Sequence, residues 1–285
     1  MDSEGGALYL VATPIGNLED MTLRGIRILK EADLIAAEDT RTSGVLMSHY
    51  EIHTPLTSYH EFNKIDKADY LVEQMLQGRT VACITDAGTP GISDPGEELV
   101  KKCTEEGIPV YAVPGPAACI TAVTSSGLSC RRFSFEAFLP KDKKERERVL
   151  DEIKDDTRTI IIYEAPHHLK KTLAELAGVL GDDRRLVLCR ELTKKFEDKQ
   201  QMTFGEAISF YNENEPRGEY VLVIEGKSRE EQQAEKQQAF SEMTLEEHMA
   251  LYTGKGMSEK DAMKAVARDL GTTKREIYRR LKVNE

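Results

Sequence analysis

Two acidic segments follow apolar runs that read as buried strands. Asp33-Leu34-Ile35-Ala36-Ala37 leads into Glu38-Asp39-Thr40-Arg41, and Val81-Ala82-Cys83-Ile84 leads into Thr85-Asp86. Carboxylates at strand ends can take or orient a proton, so Glu38, Asp39 and Asp86 are candidate bases, with His60 a further one. Arg41 and Asn17 are suited to holding a substrate. An acidic cluster that opens a helix and favours its dipole is the other reading of residues 38–41. His167 and His168 stand side by side behind Pro166 with no third ligand at metal spacing, so no metal is expected.

Such groups act together only if the fold brings them to one edge. Between the strand ending at Ile84 and the helix opening at Glu97 lies Thr85-Asp86-Ala87-Gly88-Thr89-Pro90-Gly91-Ile92-Ser93-Asp94-Pro95-Gly96. Its glycines leave the backbone bare and its prolines stiffen it, so a ligand can approach the main chain; a ligand-free connector is the alternative. The same architecture occurs where Ala7 to Ala12 breaks into Thr13-Pro14-Ile15-Gly16-Asn17-Leu18 ahead of a helix over Met21 to Lys30. It occurs again where Val110-Tyr111-Ala112-Val113 breaks into Pro114-Gly115-Pro116-Ala117-Ala118. Three such units predict a parallel sheet with three loops at one edge, the edge where open α/β sheets bind ligands. No Gly-x-Gly-x-x-Gly stretch occurs, which disfavours an ordinary Rossmann-type methyltransferase or dehydrogenase.

Four regions are expected. Residues 1–113 alternate strands and helices, with an amphipathic helix over Lys67 to Leu76. Residues 114–226 hold strands at 159–163, 186–189 and 220–224, with helices over Lys144 to Ile153 and His168 to Leu180. Residues 227–243 form a charged linker or solvated helix. Residues 244–285 read as a small helical module: Ser258 caps a helix over Glu259 to Leu270, Gly271 stops it, and a second helix carries Ile277, Tyr278 and Leu281 at helix-turn-helix spacing. An ordinary helical hairpin used for packing is the alternative.

The chain has 285 residues, 40% of them apolar, enough for one or two substantial cores. No apolar run is long enough to cross a bilayer, and Met1 to Gly6 lacks a signal-peptide pattern, so a cytoplasmic location is expected. Five scattered cysteines suggest neither zinc site nor disulfide framework but reduced, half-buried fillers. The net charge of −11 argues against nucleic acid until its distribution is considered. Residues 131–148 carry seven basic and four acidic side chains, and residues 255–282 nine and four. These patches nominate Arg131, Arg132, Lys141, Lys143, Lys144, Lys274, Arg275 and Arg279 for phosphate; solvated helix faces are the alternative.

The segments Thr13-Pro14-Ile15-Gly16-Asn17, Ala37-Glu38-Asp39-Thr40-Arg41, Asp86-Ala87-Gly88-Thr89-Pro90, Ser93-Asp94-Pro95-Gly96 and Val113-Pro114-Gly115-Pro116 resemble the tetrapyrrole-methylase superfamily, and within it the branch acting on small-subunit ribosomal RNA. Phe138-Leu139-Pro140, Tyr163-Glu164-Ala165-Pro166-His167, Cys189-Arg190-Glu191-Leu192-Thr193-Lys194 and Arg217-Gly218-Glu219-Tyr220 extend the similarity in order. The resemblance implies two α/β subdomains with a crevice between them that holds S-adenosylmethionine, besides the helical module. It implies 2′-O-methylation of a cytidine ribose in small-subunit ribosomal RNA, by a homodimer. Carried over by position, it assigns cofactor binding to Pro14, Gly88, Thr89, Pro90, Ile92, Ala117 and Ala118, and from the second half to Tyr163, Glu191, Leu192, Glu219 and Tyr220. For this reaction the strand-end groups Glu38, Asp39, Arg41 and Asp86 are the catalytic candidates, and Asn17 and His60 are candidates for holding the RNA. A methylase of a small tetrapyrrole-type substrate is the alternative on the same fold. A DNA-binding regulator with the tail as reader is a third, opposed by the motif density of the body.

Overall fold

A computed structural model of the chain describes residues 6–228, 230–232, 234, 238, 240 and 243–283, arranged as two compact units, Met1–Glu225 and Gly226–Glu285. The expected linker at 227–243 falls partly, and residues 284–285 of the expected module wholly, outside the described residues. No described helix is long and apolar enough to cross a membrane.

The first unit contains two five-stranded sheets. In the first, β1 (Ala7–Val11), β2 (Leu34–Ala37), β3 (Leu56–Ser58), β4 (Thr80–Ile84) and β5 (Val110–Val113) lie in the order β3-β2-β4-β1-β5, and every pairing is parallel. All five strands therefore end at one edge, and the loops after β2, β4, β1 and β5 leave from adjacent strands. The helices are α1 (Leu23–Glu31), α2 (Thr40–His49), α3 (Lys64–Leu76), α4 (Gly96–Glu105) and α5 (Ala118–Ser125). Strand alternation divides the apolar residues between two helix layers: Leu34 and Ala36 pack with Leu71, Met75 and Leu99, whereas Ile35 and Ala37 pack with Ile28, Leu29 and Met47.

The second sheet is mixed, in the order β6-β7-β10-β8-β9. Its strands are β6 (Phe133–Phe138), β7 (Thr159–Glu164), β8 (Arg185–Arg190), β9 (Asp198–Thr203) and β10 (Tyr220–Ile224), and only β6 and β7 pair in parallel. Helices α6 (Lys143–Lys154), α7 (Pro166–Leu180) and α8 (Phe204–Glu213) cover one face, where Ile160, Ile162, Leu186, Leu188, Leu222 and Ile224 form a core with Leu169, Leu173 and Phe204. The alternate residues Ile161, Val187, Cys189, Val221 and Val223 face the other way and pack with Cys119, Ala122 and Val123 of α5. The chain thus supplies α5, which follows the last strand of the first sheet, as the filling of the second.

Most predicted elements exist with shifted ends. The first helix begins at Leu23 behind a Thr22 cap, and the helix expected from His168 begins at Pro166, a residue suited to a first turn because the missing N–H is not needed there. Four of the five cysteines are fully buried rather than half-buried, and Cys130 is exposed; all are free. Burial pushes the Cys103 and Cys189 thiols up to about 11, so both are inert packing groups.

In the second unit α9 (Leu245–Thr253), α10 (Glu259–Asp269, capped by Ser258) and α11 (Lys274–Val283) surround Met249, Ala262, Met263, Val266, Ala267 and Ile277. Ile277 is wholly buried. Ile277→Ala is expected to cost this unit about 2–5 kcal/mol and to raise amide exchange in all three helices. Exchange unchanged from wild type would show that Ile277 is not the centre of that core.

Candidate active site

The strand-end loops of the first sheet enclose, with β6, β7 and β10, a cavity of ≈ 400 Å³. That lies within the range of about 300–1,000 Å³ common for small-molecule sites. Its floor comes from paired loops. Thr13 N donates to Gly88 O at 2.9 Å and Gly88 N to Thr13 O at 3.1 Å, while the Thr13 hydroxyl donates to Thr85 O at 2.9 Å. Thr89 Oγ1 donates to Pro116 O at 2.9 Å, tying the loop after β4 to that after β5. Gly88 has φ +88°, a conformation side chains rarely adopt. At Gly115 a Cβ would stand 2.7 Å from the Ala12 Cβ, so the loops after β1 and β5 meet with no room for a methyl group.

Asp94 builds the far side of the β4 loop from within. Gly91 N donates to both carboxylate oxygens at 2.9 Å and Gly96 N to Oδ1 at 2.7 Å. Burial raises the Asp94 pKa against the pull of these N–H groups. Across the cavity, the Tyr163 hydroxyl accepts from Cys119 N at 2.9 Å in the first turn of α5, and burial pushes this phenol well above its ordinary range. Glu164 is buried and fully engaged: Ala165 N donates to Oε1 at 2.8 Å, and the Thr172 hydroxyl donates to Oε2 while accepting from Arg146.

Of the residues nominated for the cofactor, Gly88, Thr89, Ile92, Ala117, Ala118, Tyr163, Glu219 and Tyr220 line this cavity. Pro14 and Pro90 do not line it; Pro90 is buried. Glu191 and Leu192 do not line it either. Glu191 (φ +51°) accepts from Glu219 N at 3.0 Å and pairs with Lys194 at 3.1 Å, and it is these bonds, the Glu219 N–H first, that hold its carboxyl below the usual range. A Cβ on Gly218 would lie 2.6 Å from that carboxylate. Glu191 thus supports the wall that carries Glu219, and Leu192 is buried in the apolar cluster against which Ala117 and Ala118 pack. Ile15, Thr85, Ser93, Asp94, Phe138 and Glu164 also line the cavity and were not singled out from sequence, although each falls within a motif quoted above or beside one.

Of the nominated catalytic groups, Glu38 alone lines the cavity. Thr85 Oγ1 donates to its Oε2 at 2.6 Å and Asp86 N to the same oxygen at 3.4 Å, and no described residue donates to Oε1. Asp86 stands one step back, accepting from Asp39 N at 3.1 Å, with its pKa raised by burial and then by the neighbouring carboxylates. Asp39 caps α2 through the Arg41 amide at 2.8 Å and grips the Arg41 guanidinium, with Nη2 at 2.7 Å. Residues 38–41 are thus divided: Glu38 faces the cavity, and Asp39 opens the helix.

The Arg41 guanidinium lowers Asp39 to about 2. That pairing contributes stability fully present above the ordinary aspartate value of about 3.9 and lost as the pH falls through about 2. In Arg41→Ala, the Asp39 carboxyl followed by NMR is expected to titrate nearer the ordinary value. A midpoint still near 2 would assign the shift to the helix amides instead.

The residues nominated for RNA lie on several different elements. His60 follows the edge strand β3, and Asn17 caps the short 3-10 turn Leu18–Asp20. Arg131 and Arg132 precede β6, whereas Phe138 at its far end lines the cavity, a separation of roughly 20 Å at 3.3 Å per residue. Lys141, Lys143 and Lys144 follow Phe138 and are exposed. Arg146, counted within that basic patch, is committed to Glu175 at 2.6 Å. Lys274, Arg275 and Arg279 lie on α11 of the second unit, where Arg279 pairs with Glu276 at 2.8 Å.

A sulfonium cofactor fits these walls. Glycine and alanine permit close approach of an adenosine, Ile15 and Ile92 offer apolar contact, and the lining carboxylates Glu38, Asp94, Glu164 and Glu219 favour positive charge. No group of three or more His, Cys, Asp or Glu side chains suited to a metal occurs among the described residues.

A parallel sheet feeding Pro/Gly loops into an acidic, backbone-walled cavity against a second, mixed sheet defines a methyltransferase of the two-sheet type. The chain belongs to the family of Tetrapyrrole (Corrin/Porphyrin) Methylases, which matches residues 7–208, and its methyl donor is S-adenosylmethionine. It is 47% identical over 276 residues to ribosomal RNA small subunit methyltransferase I of Bacillus subtilis, covering 97% of this chain and 94% of that protein. It is 44% identical to the protein of the same name from Synechocystis, covering 96% of each. Among solved structures, uroporphyrin-III-C-methyltransferase from Thermus thermophilus shares the fold with TM-score 0.54 at 21% identity, over 77% of this chain and 94% of that one. Diphthine synthase does so with TM-score 0.61 at 11% identity, over 77% and 90%.

Proposed function

We propose that this protein transfers a methyl group from S-adenosylmethionine to the ribose 2′-hydroxyl of a cytidine in small-subunit ribosomal RNA, acting in the cytoplasm as a homodimer on the assembled subunit. The observation that carries the reading is similarity to proteins named for that RNA over 97% of the chain, the helical tail included. The charge layout supports it: carboxylates line the cavity, and Lys141, Lys143 and Lys144 follow directly on a lining residue, so a nucleoside can enter while its phosphates stay outside.

The bound cofactor supplies an electrophilic methyl group on a positively charged sulfur. Glycine and alanine walls hold it against the loops, and in-line placement of the acceptor supplies much of the rate. Glu38 Oε1 would take the proton of the acceptor hydroxyl as that oxygen is methylated. Thr85 and Asp86 N, both on Oε2, keep the carboxylate aimed. Asp39, Asp86 and Arg41 hold that segment in place rather than meeting substrate.

The test is transfer of labelled methyl to small ribosomal subunits, protein-free small-subunit RNA and a tetrapyrrole mixture, with nucleoside analysis of the product. 2′-O-methylcytidine from subunits is expected. Equal labelling of protein-free RNA would remove the assembled subunit from the reading, and label only in the tetrapyrroles would replace it.

A further inference from the structure

Phe138, which opens Phe138-Leu139-Pro140, takes no part in the proton and methyl transfer, and it is placed unusually. Strand β6 loses register against β7 between Phe135 and Phe138, and Ala137 within this bulge adopts φ +52°, a left-handed conformation that alanine ordinarily avoids. The bulge re-aims the next side chain. Phe138 lines the cavity yet remains 55% exposed, a large apolar ring at the mouth rather than in the wall. It is braced from one side: its ring meets Tyr163 at 5.6 Å and 66°, and Tyr163 in turn meets Phe135 at 4.9 Å and is tethered to α5. Behind it Leu139 is buried and anchors the chain, and the exposed Lys141, Lys143 and Lys144 come next, at the start of α6.

We infer that Phe138 is the stacking platform for the base of the acceptor nucleotide, with Lys141 and Lys144 holding the flanking phosphates. The inference rests on the RNA reading above and adds how that substrate is held. Phosphates are repelled from a cavity lined by Glu38, Asp94, Glu164 and Glu219. The nucleotide therefore has to present its ribose inward while its backbone stays at the basic lip, which requires it to leave its own stack. An extruded base needs a replacement stacking partner, and an exposed aromatic ring at the mouth is suited to that and tolerant of which base it carries. A strained bulge is retained where the side chain it aims is used.

The experiment compares Phe138→Ala, Phe138→Leu and Phe138→Tyr in the full chain, measuring cofactor affinity by calorimetry and KM and kcat on small ribosomal subunits. Stacking of one base predicts that Phe138→Ala raises KM about 5- to 150-fold with cofactor affinity within twofold of wild type, and that Phe138→Tyr stays near wild type. Phe138→Leu keeps most of the volume without the π face. It is expected to behave like Phe138→Ala, and it carries the test should the alanine variant not fold. Leucine matching tyrosine would overturn the platform. So would a parallel loss of cofactor affinity, which would make Phe138 a cofactor wall, or an unchanged KM in the alanine variant. If wild-type protein fails on subunits, the RNA reading falls and the platform with it; if wild type is active and the variants are indifferent, the platform alone falls.

Discussion

Glu38→Gln is expected to slow methyl transfer by about 10²- to 10⁴-fold, the range for losing a positioned general base, while leaving cofactor affinity within a few-fold of wild type. The amide oxygen of glutamine can still accept from Thr85 Oγ1 and Asp86 N, which now hold Oε2 at 2.6 and 3.4 Å, so the segment after β2 keeps its place and only the proton acceptor is lost. Asp39→Asn and Asp86→Asn are expected to have smaller effects, because neither carboxylate lines the cavity. Single-turnover transfer under saturating cofactor separates the three. A Glu38→Gln rate within tenfold of wild type would sink the assignment of Glu38 and leave alignment, with late loss of the proton to solvent, as the source of the rate.

Gly88→Val is expected to abolish useful cofactor binding, with affinity lowered at least about 100-fold, and to lower stability by about 1–3 kcal/mol, the cost of one strained backbone conformation. Three observations set this size. The position has φ +88°, which a β-branched residue does not tolerate. Its backbone is fixed on both sides by the reciprocal bonds to Thr13, so it cannot turn to a normal conformation without parting the loops after β1 and β4. A Cβ there would stand 3.4 Å from Ile15 Cγ2, another lining residue, and the rest of a valine would enter the cavity. Calorimetric titration with S-adenosylmethionine and a thermal midpoint on the same sample test both parts. Normal binding would show that the cofactor does not approach this stretch of main chain.

The two effects are of different kinds because the site divides its work. The first sheet supplies rigid backbone through loops locked to one another, and the second supplies the facing wall through Tyr163, Glu164, Glu219 and Tyr220. The cavity's acidity suits a cation.

What the sequence determined by itself is what depends on short-range pattern. β-Branched and aliphatic runs mark β1, β2, β4, β7, β8 and β10, because the central positions of strands buried on both faces are apolar. Three strand-loop-helix units in succession require a parallel sheet, so the loop edge and the residues nearest it were legible from residue 7 to residue 118. The second half was less legible. β9, Asp-Lys-Gln-Gln-Met-Thr, is a polar edge strand whose conformation is set by pairing with β8, and β6 ends in a bulge that breaks its alternation. Which of Glu38, Asp39 and Asp86 faces the cavity was not legible either, because side chains one residue apart leave a strand end in opposite directions, and the hydrogen bonds that fix them come from a loop 47 residues away. Glu191 and Leu192 illustrate the same limit. Their motif marks them as important, but only the packing of Gly218 on Glu191, and of Leu192 in the apolar cluster that also takes in Ala117 and Ala118, sets them outside the lining of the cavity. Local propensity selects elements within a few residues, whereas a site is assembled from groups distant along the chain, and their facing is decided by the tertiary contacts that close around them.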